Sequence, residues 1–215
     1  HAHDLAHATD DPLTQIDLLA PTDTPRLAHE LGERLAFLHK KVSDKHYVDA
    51  KRKPVAPDAF VMPATMPAVA AELRVALTDI PLRCGPRVAG LYTGPRLNLA
   101  FDRNNCSTIR AQEPVAVLAK WSSGVTLVRT RYALGWIAHD AKLSPVVPTA
   151  LAATVASGTK LRVDKQATLR GVTASGEPLT TTVGANTMLA TKDGQRAIFA
   201  TAGGFAESEP VAAAA

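Results

Sequence analysis

The sequence contains two cysteines, Cys84 and Cys106, and a cysteine thiolate is a strong nucleophile. Cys106 stands in the segment Asn-Cys-Ser-Thr, and His139 follows in the same part of the chain. A catalytic cysteine needs a lowered pKa, commonly from a helix N-terminus or a paired histidine. Cys106 follows a polar turn, and no apolar helical pattern comes after it. We therefore assign no catalytic residue, and a self-contained cysteine hydrolase is the weakest interpretation.

The two cysteines have two structural interpretations as well. They can form one disulfide in an oxidising compartment, or they can be two buried thiols, because cysteine is often a small core residue. The sequence has no C-x-x-C motif and no second cysteine pair, which argues against a zinc site. A His-x-His segment at residues 1–3 could hold a metal, with His7 nearby, but no acidic or cysteine partner lies at ligand spacing. We predict no metal and no cofactor.

A second group of candidate residues combines two arginines with two aromatic side chains around one predicted turn: Arg129, Arg131, Tyr132 and Trp136. Guanidinium groups pair with carboxylates, so this group could hold an anionic peptide or a saccharide. The alternative is that Trp136 belongs to the core and that the arginines form a solvated strand face, as on many barrel rims. Both interpretations are open from the sequence.

The composition excludes several function classes. The 215 residues include 24 Lys and Arg against 20 Asp and Glu, which gives a net charge of +4. The only basic clusters, at residues 40–41 and 51–53, are short, and we interpret them as solvated surface rather than a nucleic-acid interface. No stretch of 18 apolar residues predicts a membrane span. The chain starts at His1 without a signal pattern, so we expect a processed or truncated product.

The elements that must position these side chains are mainly β. Residues 115–120 and 125–132 predict a hairpin around a turn at 122–124, and a second turn at 133–135 leads into a strand at 136–137. Strand alternation also appears at residues 73–77 and 97–101, with a turn-rich crossing at 81–86. Residues 73–147 are therefore predicted to form one small barrel.

The chain before this barrel predicts a helix and a strap, which follow a flexible arm at 1–23. Residues 24–43 carry one apolar stripe, with Thr24 as the N-cap and Pro25 in the first turn. Residues 44–72 contain four prolines, which exclude a long element. We predict a strap over this range, anchored on a neighbour by Phe60 and Met62.

The chain after the first barrel predicts a second β module. Residues 148–156 suggest a short linker helix, capped by Thr149 and stopped by Gly158. Five short strands follow between residues 157 and 205, with a strong hairpin signal at Asp193-Gly194, which is typical of a small, partly open barrel. Residues 206–215 have the composition of a tail or linker. The predicted fold class is thus mainly β, with two small barrels after an N-terminal helix and a proline-rich strap.

Several motifs occur in this order. They lie at residues 83–86 (Arg-Cys-Gly-Pro), 91–92, 101–107 (Phe-Asp-Arg-Asn-Asn-Cys-Ser), 112–114 and 128–137. On these residues the chain resembles the non-catalytic part of a bacterial NlpC-type cell-wall cysteine peptidase with two SH3-like domains ahead of its catalytic domain. Residues 24–62 look like the N-terminal stabilising segment of that family, and residues 157–200 look like its second SH3-like domain.

The resemblance implies a function at the cell envelope, periplasmic or extracellular. Such peptidases cut the stem peptide of peptidoglycan between γ-D-glutamate and a diamino acid, with a nucleophile in an Asp-Cys-Ser-Gly motif. This sequence lacks that motif, so the resemblance implies a peptidoglycan-binding and scaffolding unit whose catalytic domain is missing or separate. For a protein of the envelope, a disulfide between Cys84 and Cys106 becomes the hypothesis, because both flank strands of one small domain. An independent SH3-like protein-binding module is the alternative function.

Overall fold

The computed structural model describes residues 16–94, 97–121 and 124–210. The histidines predicted as a metal-binding alternative, most of the predicted arm, and residues 122–123 of the predicted turn lie outside the described residues. The last part of the predicted tail, at 211–215, lies outside them as well. The described chain is mainly β, with two six-stranded sheets and two α-helices, which confirms the predicted structural class.

Helix α1 (Thr24–Lys45) forms on the apolar stripe that the sequence predicts. Its buried side chains are Leu27, Leu31, Leu35, Leu38 and Val42. The N-cap is Asp23, whose carboxylate accepts a hydrogen bond from the amide of Arg26 at 3.0 Å. The prediction of Thr24 as the N-cap is therefore wrong by one residue. The cap is the residue before it, Asp23, whose side chain satisfies a free amide of the first turn, and Thr24 is already helical. The helix ends at His46 in the left-handed conformation.

The strap after α1 packs on the first sheet through Phe60, the last residue of a short 3₁₀ helix (Pro57–Phe60). Phe60 is buried, and Met62 packs against the same apolar cluster. A Cβ atom at Gly85 would lie 2.5 Å from Cε1 of Phe60, so only glycine allows this approach. Val48 forms isolated bridges with Pro54 and with Tyr92, and these bridges fix the start of the strap.

The first sheet consists of β1 (Glu72–Val75), β2 (Ile80–Arg83), β3 (Asn105–Ile109), β4 (Pro114–Lys120), β5 (Val125–Arg129) and β6 (Leu134–Ala138). Their order in the sheet is β1-β4-β5-β6-β2-β3, and every pair is antiparallel. The predicted crossing at 81–86 is wrong in part, because β2 occupies its first half. The predicted strand at 97–101 is also wrong: Leu99 and Phe101 are 58% and 57% exposed, so their alternation faces no core.

Helix α2 (Thr149–Ser157) leads from the first sheet to the second. Its N-cap is Pro148, which supplies no side-chain hydrogen bond, so the predicted Thr149 cap is wrong. Thr149 is the first helical residue instead. Gly158 ends the helix, as predicted, and its amide donates to the carbonyl of Thr154.

The second sheet consists of β7 (Lys160–Arg162), β8 (Ala167–Val172), β9 (Pro178–Val183), β10 (Met188–Thr191), β11 (Arg196–Thr201) and β12 (Gly204–Pro210). Their order in the sheet is β7-β10-β11-β12-β8-β9. The prediction of a tail from residue 206 is wrong, because β12 pairs with both β11 and β8. Ala206 is buried there, and the hydroxyl of Ser208 accepts from the amide of Ala197 at 2.9 Å.

Both sheets are open among the described residues. No pairing joins the terminal strands β1 and β3 of the first sheet, or β7 and β9 of the second, so closed barrels are not observed there. One cluster of buried side chains connects the elements instead. It contains the stripe of α1, one face of the first sheet, and Ala190, Ile198, Ala200 and Phe205 of the second sheet. Helix α1, the first sheet and the second sheet thus share one apolar cluster.

Candidate functional site

The turn between β5 and β6 carries the predicted group of arginines and aromatic residues. It is built by Thr130, whose buried hydroxyl accepts hydrogen bonds from the amides of Tyr132 (3.3 Å) and Ala133 (3.0 Å). The amide of Thr130 donates to the carbonyl of Ala133 at 2.8 Å. The turn therefore spans residues 130–133. The predicted turn at 133–135 is wrong, because Leu134 and Gly135 already belong to β6.

Trp136 does not reach the surface of this turn. Its side chain is 0% exposed and packs edge-to-face on Trp121, with ring centroids 5.7 Å apart. The indole therefore contributes to the core, and its assignment as a ligand-binding residue is wrong. The neighbouring Gly135 lies so close to β2 that a Cβ atom would come within 2.6 Å of the carbonyl oxygen of Arg83.

The other three predicted residues lie at the surface of the turn. Tyr132 is 41% exposed, while Arg129 and Arg131 are half-buried. Arg129 forms no salt bridge with another residue of the described chain. The backbone carbonyl of Arg131 accepts a hydrogen bond from the amide of Ile16 at 2.9 Å, so the end of the predicted arm is attached to the turn. The end of β5 and the turn thus carry two arginines and a tyrosine within four consecutive residues.

Two charged residues that the sequence analysis did not select complete this group. Burial raises the pKa of Glu113, although it accepts from the Arg110 amide at 2.9 Å. Burial, followed by the charge of Glu113, raises the pKa of the Tyr132 phenol to about 12. Burial, followed by the charge of Arg131, lowers the pKa of Lys160 to about 8. The side chains thus form one electrostatic cluster that includes a residue of the second sheet.

Lys160 begins β7 and is far from the turn in sequence. Its ammonium donates to the carbonyl of Val155 at 2.8 Å, which also satisfies a free carbonyl near the end of α2. Glu113 belongs to residues 112–114, one of the motifs on which the family resemblance rests. The sequence therefore marked this residue, although not as part of a binding site. No sequence signal marked Lys160, because its position depends on how the second sheet packs on the first.

Two contacts hold this group in place. The side-chain amide of Gln112 exchanges two hydrogen bonds with Ala200: Oε1 accepts from the amide at 2.8 Å, and Nε2 donates to the carbonyl at 3.1 Å. From helix α1, Nη1 of Arg34 donates to the carbonyl of Leu134 at 2.5 Å. Burial lowers the pKa of Arg34, with Glu30 acting in the opposite direction. The turn is thus fixed from the helix side and from the second sheet.

Cys84 and Cys106 are joined by a disulfide, with sulfur atoms 2.08 Å apart. The sulfur of Cys106 is therefore not a free thiol. The ring of His139 lies beside another partner, since its Nδ1 is 2.7 Å from the hydroxyl oxygen of Thr126. Cys106 and His139, which were considered as nucleophile and base, therefore each contact a different partner.

The motifs that carried the resemblance build the loop between these cysteines. Asn104 is fully buried; it accepts from the Gly85 amide at 2.9 Å and donates to the carbonyls of Arg87 (2.8 Å) and Ala89 (3.2 Å). Asp102 pairs with Arg83 at 2.5 Å. These residues therefore have a structural role, which is to fix an irregular loop.

Residues 16–94, 97–121 and 124–210 contain no group of three or more His, Cys, Asp or Glu arranged to hold a metal ion. In the same part of the chain, neither helix has the length and apolar character needed to cross a membrane.

The fold can be compared with known proteins. No protein-family model matches the chain, and no curated protein shows significant similarity. A solved structure of an NlpC/P60 endopeptidase from Photobacterium damselae subsp. piscicida is similar, with a TM-score of 0.55 and 11% sequence identity. The similarity covers 97% of this chain and 49% of the endopeptidase chain. This chain therefore shares the fold of about half of an NlpC/P60 endopeptidase.

Proposed function

We propose that this chain is a peptidoglycan-binding and scaffolding unit that acts together with an NlpC-type catalytic domain. The observation that carries the proposal is the structural similarity over 97% of the chain to only 49% of an endopeptidase. The chain also lacks the Asp-Cys-Ser-Gly motif, so the unit is proposed to bind and position rather than to cleave. In this proposal the two sheets correspond to SH3-like domains.

The proposed binding surface consists of Arg129, Arg131 and Tyr132. Stem peptides of peptidoglycan carry carboxylates, and guanidinium groups bind carboxylates through paired, charge-assisted hydrogen bonds. A half-exposed tyrosine beside them adds apolar contact at low entropic cost. The location proposed for the protein is the cell envelope, and a disulfide is consistent with an oxidising compartment.

A second candidate function is an independent protein-binding module of the envelope. The observation that favours it is the exposed apolar surface of the loop before β3, where Leu99 and Phe101 face solvent. The guanidinium of Arg103 lies 4.3 Å from the Phe101 ring centroid. Exposed aromatic and arginine side chains are enriched at protein interfaces.

The first test is a pull-down of the chain on purified insoluble peptidoglycan, with release of soluble muropeptides assayed in the same tube. We expect binding without release. The double variant Arg129→Ala/Arg131→Ala should lose most of the binding. The matched control Arg26→Ala/Arg170→Ala removes the same charge from exposed positions elsewhere and should bind as the parent does.

The remaining outcomes separate the alternatives. Equal binding by both double variants would show that the chosen surface is wrong. Absence of both binding and release would favour the protein-binding module. Muropeptide release lost in Cys106→Ala but kept in Cys84→Ala would overturn the proposal and indicate a hydrolase, because the two variants remove the same disulfide.

A further inference from the structure

A cleft of about 200 Å³ opens in the first sheet, away from the turn described above. Its lining comes from β2 and the residues just before it, from Val88, and from the end of β6 and the loop that follows it. Within the part of the chain that the structure describes, the pairing of β2 with β6 joins Arg83 to Trp136. Pro81 of β2 and Ala138 of β6 both line the cleft.

The walls of the cleft are fixed by contacts within the chain. Asp79 pairs with Arg110 at 2.8 Å and accepts from the amide of Ala111 at 2.9 Å. Arg83 is engaged with Asp102. The amide of Leu77 donates to the backbone carbonyl of Lys142 at 2.8 Å, which holds the loop after β6 against the residues after β1. The cleft is therefore formed in advance, which reduces the entropic cost of binding a ligand.

Two charged residues of the cleft lining, unlike Asp79 and Arg83, form no ion pair with the described chain. The carboxylate of Asp140 and the ammonium of Lys142 both line the cleft and are exposed. Neither forms a salt bridge with the other or with any other residue of the described chain. The cleft thus offers one free negative charge and one free positive charge, separated by a single residue.

Apart from these two residues, most of the cleft lining is apolar. The apolar lining residues are Ile80, Pro81, Val88, Ala138 and Ala141. Val88 is 46% exposed although it is a large apolar residue, so a ligand that covers it removes apolar surface from water. A ligand complementary to this surface carries small alkyl side chains and one charge of each sign.

The volume limits the size of that ligand. At a liquid volume of about 30 Å³ per water, the cleft of about 200 Å³ corresponds to roughly seven waters, so it takes only a small ligand. A dipeptide of small residues is a ligand of this size. We propose that this cleft binds a short zwitterionic peptide of small apolar residues, with its α-ammonium on Asp140 and its carboxylate on Lys142. The proposal does not depend on the peptidoglycan surface, because none of that surface's residues line the cleft.

The test is a titration of the full chain, labelled with nitrogen-15, with alanyl-alanine, followed by amide chemical shifts. We expect saturable shifts at Ile80, Val88, Ala138 and Ala141. N-acetyl-alanyl-alanine amide has the same side chains but neither terminal charge. It should bind at least tenfold more weakly, because it loses the charge-assisted contacts with both Asp140 and Lys142.

Variants identify the two charged contacts. Asp140→Asn and Lys142→Gln should each weaken binding of the dipeptide about tenfold while the rest of the spectrum keeps its dispersion, which shows that the chain is folded. The controls Asp58→Asn and Lys192→Gln make the same changes at exposed positions outside the cleft and should leave the affinity unchanged.

Three results would overturn the proposal. The first is the absence of saturable chemical-shift changes at roughly 10 mM dipeptide. A Kd above that concentration corresponds to a standard binding free energy smaller in magnitude than about 3 kcal/mol. The second is equal affinity for the free and the blocked dipeptide. The third is an equal loss in cleft and control variants. The double variant Arg129→Ala/Arg131→Ala should keep the dipeptide affinity, so this proposal and that of peptidoglycan binding fail separately.

Discussion

The side chain of Gln112 forms the same two hydrogen bonds with Ala200 that a neighbouring strand would form. Its amide oxygen accepts from the Ala200 amide at 2.8 Å and its amide nitrogen donates to the Ala200 carbonyl at 3.1 Å. Gln112 itself is buried and has a positive φ of 69°; it lies between β3 and β4, and its side chain reaches β11. One residue thus links two sheets whose strands do not pair with each other.

Gln112→Ala should lower the free energy of unfolding by about 2–4 kcal/mol, because two buried backbone groups of Ala200 lose their partner. Urea unfolding followed by tryptophan fluorescence measures the change. Gln166→Ala removes an exposed glutamine and serves as the control. A Gln112→Ala variant as stable as that control would show that the contact does not join the sheets.

The disulfide between Cys84 and Cys106 closes a segment with a sequence separation of 22. Loop-closure entropy predicts that Cys84→Ser/Cys106→Ser loses about 3 kcal/mol of stability. Thiol quantitation on denatured, unreduced protein should find no free thiol, and reduction should expose two. Two free thiols before reduction would contradict the disulfide.

Asn104→Ala should be among the most destabilising changes in the loop before β3. It leaves the Gly85 amide and the carbonyls of Arg87 and Ala89 without their partner, a cost of about 3 kcal/mol. The neighbouring Asn105→Ala changes an exposed side chain and should have little effect. Chemical denaturation of both variants tests this, and equal stabilities would show that the amide network is not required.

Lys160 should make stability rise with pH between about pH 8 and pH 10. Its folded-state pKa is about 8, below the ordinary 10.5, so the unfolded chain binds more protons at this residue in that range. Tyr132 acts in the opposite sense only above its ordinary pKa of 10.0, since folding raises that pKa to about 12.

Urea unfolding at several pH values within this window compares the parent chain with Lys160→Met. The variant should show a flatter dependence on pH, whereas the exposed Lys165→Met should retain the slope of the parent. Parallel curves for the parent and Lys160→Met would contradict the lowered pKa.

Periodicity predicted the regular elements well and the irregular ones poorly. The stripe of α1 and the hairpin of β4 and β5 follow from apolar spacing alone. Strand β2 was interpreted as a crossing, because it is short and contains Pro81. The alternation at Leu99 and Phe101 was misleading, because an irregular loop held by Asn104 and a disulfide can expose apolar side chains.

Strand β12 shows a second limit of prediction from the sequence, which concerns composition rather than periodicity. Gly203 and Gly204 followed by acidic residues resemble a linker, but β12 places Phe205 and Ala206 in the core and its glutamates outward. For the candidate site, the turn residues were accessible from the sequence because they are neighbours in the chain. The juxtaposition of Arg131 with Lys160 was not, because it depends on the packing of two sheets.

The apolar cluster beneath α1 also determines when folding can be completed during synthesis. The stripe of α1 is translated first, but the same cluster needs Trp136 of the first sheet and Phe205 of the second. At about 5–20 residues per second, roughly ten seconds or more pass between the helix and the last strand. Throughout that interval the cluster around the leucines of α1 is incomplete, because it still lacks the side chains of the second sheet. Exposed apolar surface of this kind makes a partly folded chain prone to aggregation.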